Sequence, residues 1–256
     1  MSTTEAPADP GVRHRVVRFL GWAFITVGAV VLLYLVWLLW LTGLGTSQVQ
    51  QELLEEFPGF GTATPAEDGL FAEPAPDDDP TMDRGEDDEG AAPTSGGVAV
   101  LEFERPGSDV APVNSEPLVV VPGTDAAALR RGPGTYTDSA GPGERGNFVV
   151  VGHRTTYGAP FYDIDDIRPG DLVHATDTTG RRFTYRVLEG DSDVSPGAYV
   201  VQPDDLWVLG SDPLDRGEGN YITLISCQPR FSAAQRIIVF GELIGVTDRE
   251  DVVSTS

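Results

Sequence analysis

The stretch YITLISCQPRFSAAQRIIVFGELIGV, residues 221–246, decides the fold class because it contains two strand-like segments. YITLISC (221–227) and QRIIVFGELIGV (235–246) are rich in β-branched and aromatic residues, which favour β-strands. Six earlier segments share this character, and residues that form turns separate them. These segments are VAVLEF (98–103), LVVV (118–121), NFVVVGH (147–153), DLVHATD (171–177), RRFTYRVLEG (181–190) and LWVLG (206–210).

Eight short strands at this spacing predict a mainly β domain over residues 97–246, either a sandwich or a closed barrel. One short helix is predicted over 125–131, where Thr124 or Asp125 caps its start and Gly132-Pro133 ends it. The single cysteine excludes an intramolecular disulfide framework and a multi-cysteine zinc site. Residues 247–256 are expected to form a C-terminal tail.

The N-terminal region contains 23 consecutive uncharged residues, FLGWAFITVGAVVLLYLVWLLWL (19–41). About 20 apolar residues suffice to cross the ~30 Å hydrocarbon layer, so this run predicts a single transmembrane anchor. Three arginines lie in residues 1–18 and none in 19–57, which predicts a cytoplasmic N-terminus and an extracellular β-domain. The competing interpretation is a cleaved signal peptide, whose apolar region would be shorter and would end at a small-residue cleavage site.

The net charge of −23 comes from 40 acidic residues against 17 basic ones, all of them arginine. Residues 46–96 contribute −13 of this charge, with 14 acidic residues against Arg84. We interpret 42–57 as a juxtamembrane segment, with a short helix over 47–57 on the outer membrane surface. Residues 58–96 are predicted to be a disordered spacer that sets the distance between membrane and domain. This charge balance argues against a nucleic-acid partner.

Three side chains at the ends of predicted strands are candidate catalytic residues: His153, Cys227 and Arg236. An exported chain that keeps one unpaired thiol exposes it to oxidation, which favours a chemical role over that of a buried, inert cysteine. An imidazole can favour the thiolate and can protonate a departing amine. A fixed guanidinium can stabilise the oxyanion that forms when a thiolate attacks an acyl carbon. Arg230 is a rival for that role, although it lies in a turn.

The order His, Cys, Arg resembles the sortase family, and most of all the class E sortases of high-GC Gram-positive bacteria. The resemblance runs from about Val98 to Val246. TLISC (223–227) is similar to the family's Thr-Leu-x-Thr-Cys signature, and GHRTTYGAPF (152–161) is similar to the class E histidine segment. RPGD (168–171) and RIIV (236–239) also match.

This resemblance implies an eight-stranded sortase barrel and a cysteine transpeptidase without a cofactor. Such an enzyme cleaves a sorting signal, Leu-Ala-x-Thr-Gly or Leu-Pro-x-Thr-Gly, between Thr and Gly. It then passes the surface protein to an amine of lipid II or of the peptidoglycan cross-bridge. The resemblance implies Cys227 as nucleophile, Arg236 as oxyanion ligand and His153 as acid and base.

Three further positions are expected to serve the same site. Tyr157 matches a tyrosine linked to the preference for Ala in the sorting signal, and Thr223 and Ser226 are expected to support the strand. Ser226 replaces the usual threonine, which keeps a hydroxyl but loses the stiffness of a β-branch. Gln228 stands where class E sequences often have histidine.

Other classes of protein are less consistent with the sequence. Papain-like peptidases place their cysteine before the histidine, whereas here His153 precedes Cys227 by 74 residues. Metal-ligand spacing is not recognisable, and the acidic cluster Asp163, Asp165 and Asp166, which could be proposed for Ca²⁺, is interpreted as a solvated turn. The remaining alternative is a catalytically inert, membrane-tethered β-domain that binds cell-wall or surface proteins.

Overall fold

The computed structural model describes residues 10–36, 42–58 and 96–248. Two 3-10 helices, Ile164–Asp166 and Leu206–Leu209, lie in connections between strands. The helices are α1 (Pro10–Val36), α2 (Thr42–Glu56) and α3 (Ala126–Arg131). The strands are β1 (Ala99–Glu104), β2 (Leu118–Pro122), β3 (Gly134–Thr135), β4 (Gly146–Val151), β5 (Leu172–Asp177), β6 (Arg182–Val187), β7 (Tyr199–Val201), β8 (Asn220–Gln228) and β9 (Gln235–Thr247).

Eight of the strands in the described residues close into a barrel. Their order around the ring is β1, β2, β3, β4, β8, β9, β6 and β5, and the pairing of β6 with β9 closes it. Neighbouring strands are antiparallel except for the pairs β2–β3 and β4–β8, which are parallel. β7 pairs with the first part of β9 outside the ring. The predicted closed β-barrel is confirmed.

Alternation along the strands separates the barrel core from a second, outer cluster. Ile222 and Leu224 of β8 belong to the main core, whereas Ile225 packs with Val201 and Val208 on the outside of the barrel. Successive side chains of a strand point to opposite faces. Cys227, two residues beyond Ile225, therefore lies on the outer face.

Three strand assignments differ from the sequence prediction, because 206–210 is not a strand and the short strands β3 and β7 were not predicted. The segment 206–210 is not a strand, and that prediction was wrong: Leu206–Leu209 forms a 3-10 helix whose Val208 is buried in the outer cluster. The two-residue strand β3 completes the ring instead. The predicted short helix is confirmed as α3, because Asp125 Oδ1 accepts hydrogen bonds from the N–H groups of Ala127 and Ala128 at 2.7 and 2.9 Å.

Helix α2 packs on the barrel, although the helix predicted over 47–57 was expected on a membrane surface. Leu53 and Phe57 are buried in a cluster with residues of β1, β2 and α3. The Gln50 amide donates to the Val119 carbonyl at 3.1 Å and accepts from the Val119 N–H at 2.8 Å. It thereby supplies hydrogen-bond partners for both backbone groups of Val119 in β2. The ring of Phe57 also lies against Gly97, where an added Cβ would come within 3.1 Å of it.

Helix α1 covers most of the run predicted to anchor the chain. In the part of the chain that the structure describes, no helix is both long and apolar enough to cross a membrane. Residues 37–41 of the predicted span lie outside the described residues, as do 59–95 of the acidic segment and 249–256 of the tail.

The docking of α2 predicts a loss of stability when its apolar face is truncated. Leu53→Ala should lower the free energy of unfolding by about 2–3 kcal/mol, because it removes a buried side chain and leaves a cavity against β2. Denaturant unfolding of the full chain measures this loss. Glu55→Ala on the exposed face of α2 is the matched control and should have little effect. Equal stability of the two variants would show that α2 does not contribute to the folded domain.

Candidate active site

The ends of β4, β8 and β9 bring the three candidate catalytic residues together. β4 and β8 run parallel, and the Gly152 N–H donates to the Ile225 carbonyl at 3.0 Å just beyond β4. Continuing this register puts His153 beside Cys227. Cys227 in turn lies opposite Arg236 in the antiparallel pair of β8 and β9. The three residues therefore form a row across neighbouring strand ends, with the cysteine in the middle.

Two buried hydroxyl groups connect β8 to β4. Ser226 Oγ donates to the Gly152 carbonyl at 2.8 Å, which joins the two strand ends that carry the cysteine and the histidine. Thr223 Oγ1 donates to Asn147 Oδ1 at 2.7 Å, and the Asn147 amide donates to the backbone of the 206–209 helix and of Gly210. Both side chains thus make contacts that hold these strands together. Ser226 does so without the β-branch of a threonine.

Arg236 begins β9 beside Cys227, and its guanidinium contacts the connection between β8 and β9. Nη1 donates to the carbonyl groups of Ala233 and Gln235, both at 3.0 Å. Among the ion pairs of the described residues, none involves Arg236. No carboxylate of the described residues therefore neutralises its positive charge.

His153 is half-buried against Tyr157, with the two ring centroids 5.1 Å apart. Burial lowers the pKa of His153 below its ordinary value of 6.5, because desolvation disfavours the imidazolium form. Tyr157 has a left-handed backbone conformation with φ of 50°, and the Arg130 guanidinium carbon lies 5.9 Å from its ring centroid. The structure therefore brings Tyr157 to the histidine of the row.

A network of ion pairs engages the rival arginine. Arg230 Nη2 lies 3.2 Å from Asp163 Oδ1 and 2.8 Å from Asp165 Oδ1, and its guanidinium stacks over the Tyr162 ring at 4.4 Å. Asp165 also pairs with Arg154 at 2.7 Å. These two aspartates, which the sequence suggested to lie in a solvated turn, are ion-pair partners instead. Arg236, not Arg230, is the arginine without a carboxylate partner beside the thiol.

A cavity of about 220 Å³ lies next to Tyr157, between α2 and the barrel. Gln50 and Leu54 line one side, and Glu116 and Tyr157 line the other. Helix α2 therefore forms part of the surroundings of the segment that follows His153.

Sequence reasoning missed two polar residues of the site, Asn147 and Arg154. Both are buried, and Arg154 is only 2% exposed. The available signal was that each lies in or beside the NFVVVGHR segment, where a polar residue adjoins an apolar strand. A polar residue forced into the interior by its neighbours must find partners there.

The lowered pKa of His153 predicts where activity falls on acidification. If Cys227 and His153 act as a pair, their productive state carries one proton between thiol and imidazole, and the acid limb of kcat/KM reports the more acidic of the two groups. We expect its midpoint below pH 6.5, since burial lowers the histidine pKa from that value. A pH–rate profile measures this midpoint. An acid limb above pH 6.5 would contradict the desolvated histidine.

The same burial also lowers the stability of the folded state at acidic pH. The unfolded chain binds a proton at His153 more readily than the folded chain does, so this residue destabilises the fold as pH falls through 6.5.

The fold and the site together describe a β-barrel that carries a free cysteine between a histidine and an arginine on neighbouring strand ends. The Sortase domain family model matches residues 111–244. Sortase SrtE2 of Streptomyces coelicolor is 31% identical over 252 residues, which cover 92% of this chain and 85% of that protein. The chain therefore belongs to the sortase family of cysteine transpeptidases, and its relatives include class E sortases.

Solved structures agree with this assignment. Sortase E1 from Streptomyces coelicolor, crystallised with a tripeptide in its active site, has a TM-score of 0.50 and 29% identity, covering 60% of this chain and 92% of that one. SrtF sortase from Corynebacterium diphtheriae has a TM-score of 0.50 and 27% identity, covering 69% of this chain and 93% of that one.

Proposed function

We propose that this sortase cleaves a C-terminal sorting signal of the Leu-Ala-x-Thr-Gly or Leu-Pro-x-Thr-Gly type between Thr and Gly. The surface protein is held as a thioester on Cys227 and is then transferred to an amine of lipid II or of the peptidoglycan cross-bridge. The observation that carries the proposal is the row of His153, Cys227 and Arg236 on neighbouring strand ends. The tripeptide in the active site of the related sortase E1 supports a peptide substrate.

The mechanism uses each member of the row once in each half-reaction. The Cys227 thiolate attacks the threonine carbonyl carbon, and Arg236 stabilises the oxyanion that develops. The bond between threonine and glycine breaks as His153 gives its proton to the departing glycine amine. The incoming amine then gives a proton to His153, attacks the thioester and releases the thiolate. A new amide bond replaces the one that was broken.

The role of Arg236 predicts a large but incomplete loss of activity on its removal. Arg236→Ala should lower kcat about 10²- to 10³-fold, the usual cost of removing one oxyanion donor. Arg230→Ala removes a neighbouring arginine that is paired with carboxylates and should retain most of the activity. Steady-state kinetics on one peptide compare the two variants. If Arg230→Ala lost more activity than Arg236→Ala, the two assignments would have to be exchanged.

Peptide transfer tests the proposed reaction directly. The full chain, solubilised in detergent, is incubated with each sorting-signal peptide and triglycine, and mass spectrometry measures cleavage and amine transfer. The full chain is used because α2 packs against the barrel. We expect cleavage between Thr and Gly and a ligated product. Binding of both peptides without any cleavage would favour the inert binding domain.

We further propose that residues 19–41 anchor the enzyme, with the catalytic domain outside the cell. The uncharged run and the preceding arginines support this orientation. In intact cells, the full chain should stay with membranes after an alkaline wash, and its β-domain should be digested by external protease. Release of the full chain by the wash would overturn the proposal.

A further inference from the structure

Arg154, the residue directly after His153, reaches across the end of β4 to the backbone of the nucleophile. Its Nη1 donates to the Cys227 carbonyl at 3.2 Å and to Gln228 Oε1 at 2.8 Å. Its Nε donates to the Tyr162 carbonyl at 2.8 Å. One planar guanidinium thus binds the end of β8 and the loop after the histidine together.

A neighbouring carboxylate balances the positive charge of Arg154. Nη2 lies 2.7 Å from Asp165 Oδ1, and the side chain of Arg154 is 1% exposed. A buried arginine is retained at little cost only where a counter-charge and several acceptors surround it. The rigid fork of a guanidinium can serve three directions at once, which a lysine ammonium on a flexible stem cannot do with fixed geometry.

The positions of these acceptors indicate that Arg154 orients catalytic groups as well as stabilising the fold. On its β9 side, β8 is paired as far as Gln228, whereas on its β4 side the strand pairing ends at Ile225 and is followed by the hydrogen bond from Ser226 to Gly152. The next backbone group on the β4 side is the Cys227 carbonyl, and Arg154 donates to it. The same side chain is covalently attached to the histidine segment. Arg154 therefore adds a side-chain link between the histidine segment and Cys227 itself, beyond the hydrogen bond from Ser226 to Gly152.

We propose that Arg154 is a positioning residue that sets the distance and orientation between the Cys227 thiol and the His153 imidazole. The proposal rests on the proposed roles of those two residues. Gln228 completes the arrangement, because its neutral amide oxygen accepts from Arg154 without adding a second negative charge beside the thiol. Arg154 itself does not contact substrate.

Arg230 provides a matched control for this proposal. It pairs with the same carboxylate, Asp165, but has no hydrogen bond to Cys227 or Gln228 among the described contacts. Comparing Arg154→Ala with Arg230→Ala therefore separates the loss of the Cys227 contact from the loss of an arginine in the network.

The test combines peptide kinetics with alkylation of the thiol. For each variant of the full chain, kcat and KM are measured on the sorting-signal peptide, and the rate of Cys227 alkylation by iodoacetamide is followed against pH. Arg154→Ala should lower kcat about 10²-fold with KM little changed, the cost of a misplacement of about 1 Å. Its alkylation profile should lose the inflection caused by His153 and become that of an isolated thiol. Arg230→Ala should keep both the wild-type kcat and the inflection.

Two additional variants distinguish a positioning role of Arg154 from a general loss of folding. Arg154→Lys keeps the charge but not the three-way fork, so it should restore folding and only part of kcat. Gln228→Ala removes one of the acceptors of Arg154. It should change the alkylation profile in the same direction as Arg154→Ala does, but by a smaller amount. The proposal is overturned if Arg154→Ala and Arg230→Ala lose kcat equally, or if a folded Arg154→Ala or Arg154→Lys keeps the wild-type alkylation profile. If the wild-type chain cleaves no peptide, the proposed reaction fails, while the alkylation profiles still decide the role of Arg154.

Discussion

Cys227→Ala should abolish cleavage of the Leu-Ala-x-Thr-Gly peptide, lowering kcat/KM by at least about 10⁴-fold, as expected when a nucleophile that acts with a partner base is removed. Cys227 is the only cysteine of the chain, so no second thiol can replace it. The loss should appear in kcat, because the thiolate forms its bond only as the reaction proceeds. Peptide cleavage followed by mass spectrometry measures both the residual rate and any covalent adduct.

The control for Cys227→Ala is a measurement of its melting temperature, which shows whether the variant is folded. Cys227 is only partly buried at the end of β8, so its truncation should leave the melting temperature close to that of the wild type. Substantial turnover by the folded alanine variant would refute a thioester on Cys227 and with it the proposed reaction.

His153→Ala should be the next most damaging single change, with a loss of about 10²- to 10⁴-fold in kcat. The imidazole is needed twice, first to protonate the departing amine and then to deprotonate the incoming one. The acid limb of the pH–rate profile should disappear together with it. Kinetics across the acidic pH range, with the same peptide, measure both effects.

His174 offers a matched control on the same barrel. Its Nδ1 is 3.0 Å from Thr184 Oγ1 and its Nε2 is 3.0 Å from Glu104 Oε2, on β5 and away from the row of strand ends. His174→Gln should retain activity and the acid limb. An acid limb that survives in His153→Ala but is lost in His174→Gln would show that His174, and not His153, causes the acid limb.

The strands of the fold could be predicted from sequence where their own side chains decide the pairing. β8 and β9 are long and apolar, so their prediction from composition succeeded. The segment 206–210 has an equally strand-like composition, yet only Val208 is buried there, and a 3-10 helix suffices to bury one residue. Strand β3 is two residues long among glycines and prolines, so tertiary pairing rather than propensity creates it.

The candidate site was predictable in its residues but not in its geometry. Cys227, His153 and Arg236 were identified by chemistry and motif, whereas their adjacency depends on the parallel pairing of β4 with β8. Sequence separation carries no information about that pairing, since the two strands lie about 70 residues apart along the chain. The same pairing brings Arg154 to the Cys227 carbonyl, so its contact could not have been anticipated without the register.

The contact between Phe57 and Gly97 changes what the acidic segment can do for the reach of the enzyme. Phe57 and Gly97, which flank the segment 58–96, lie against each other on the barrel, so both ends of the segment belong to one body. A spacer sets the distance between two bodies only when it connects them, whereas the two ends of this segment lie on the same domain. The proposed anchor ends at residue 41 and α2 begins at Thr42, so the distance of the thiol from the anchor depends on α2 and its packing on the barrel. Lengthening the acidic segment should therefore not extend the reach of the enzyme.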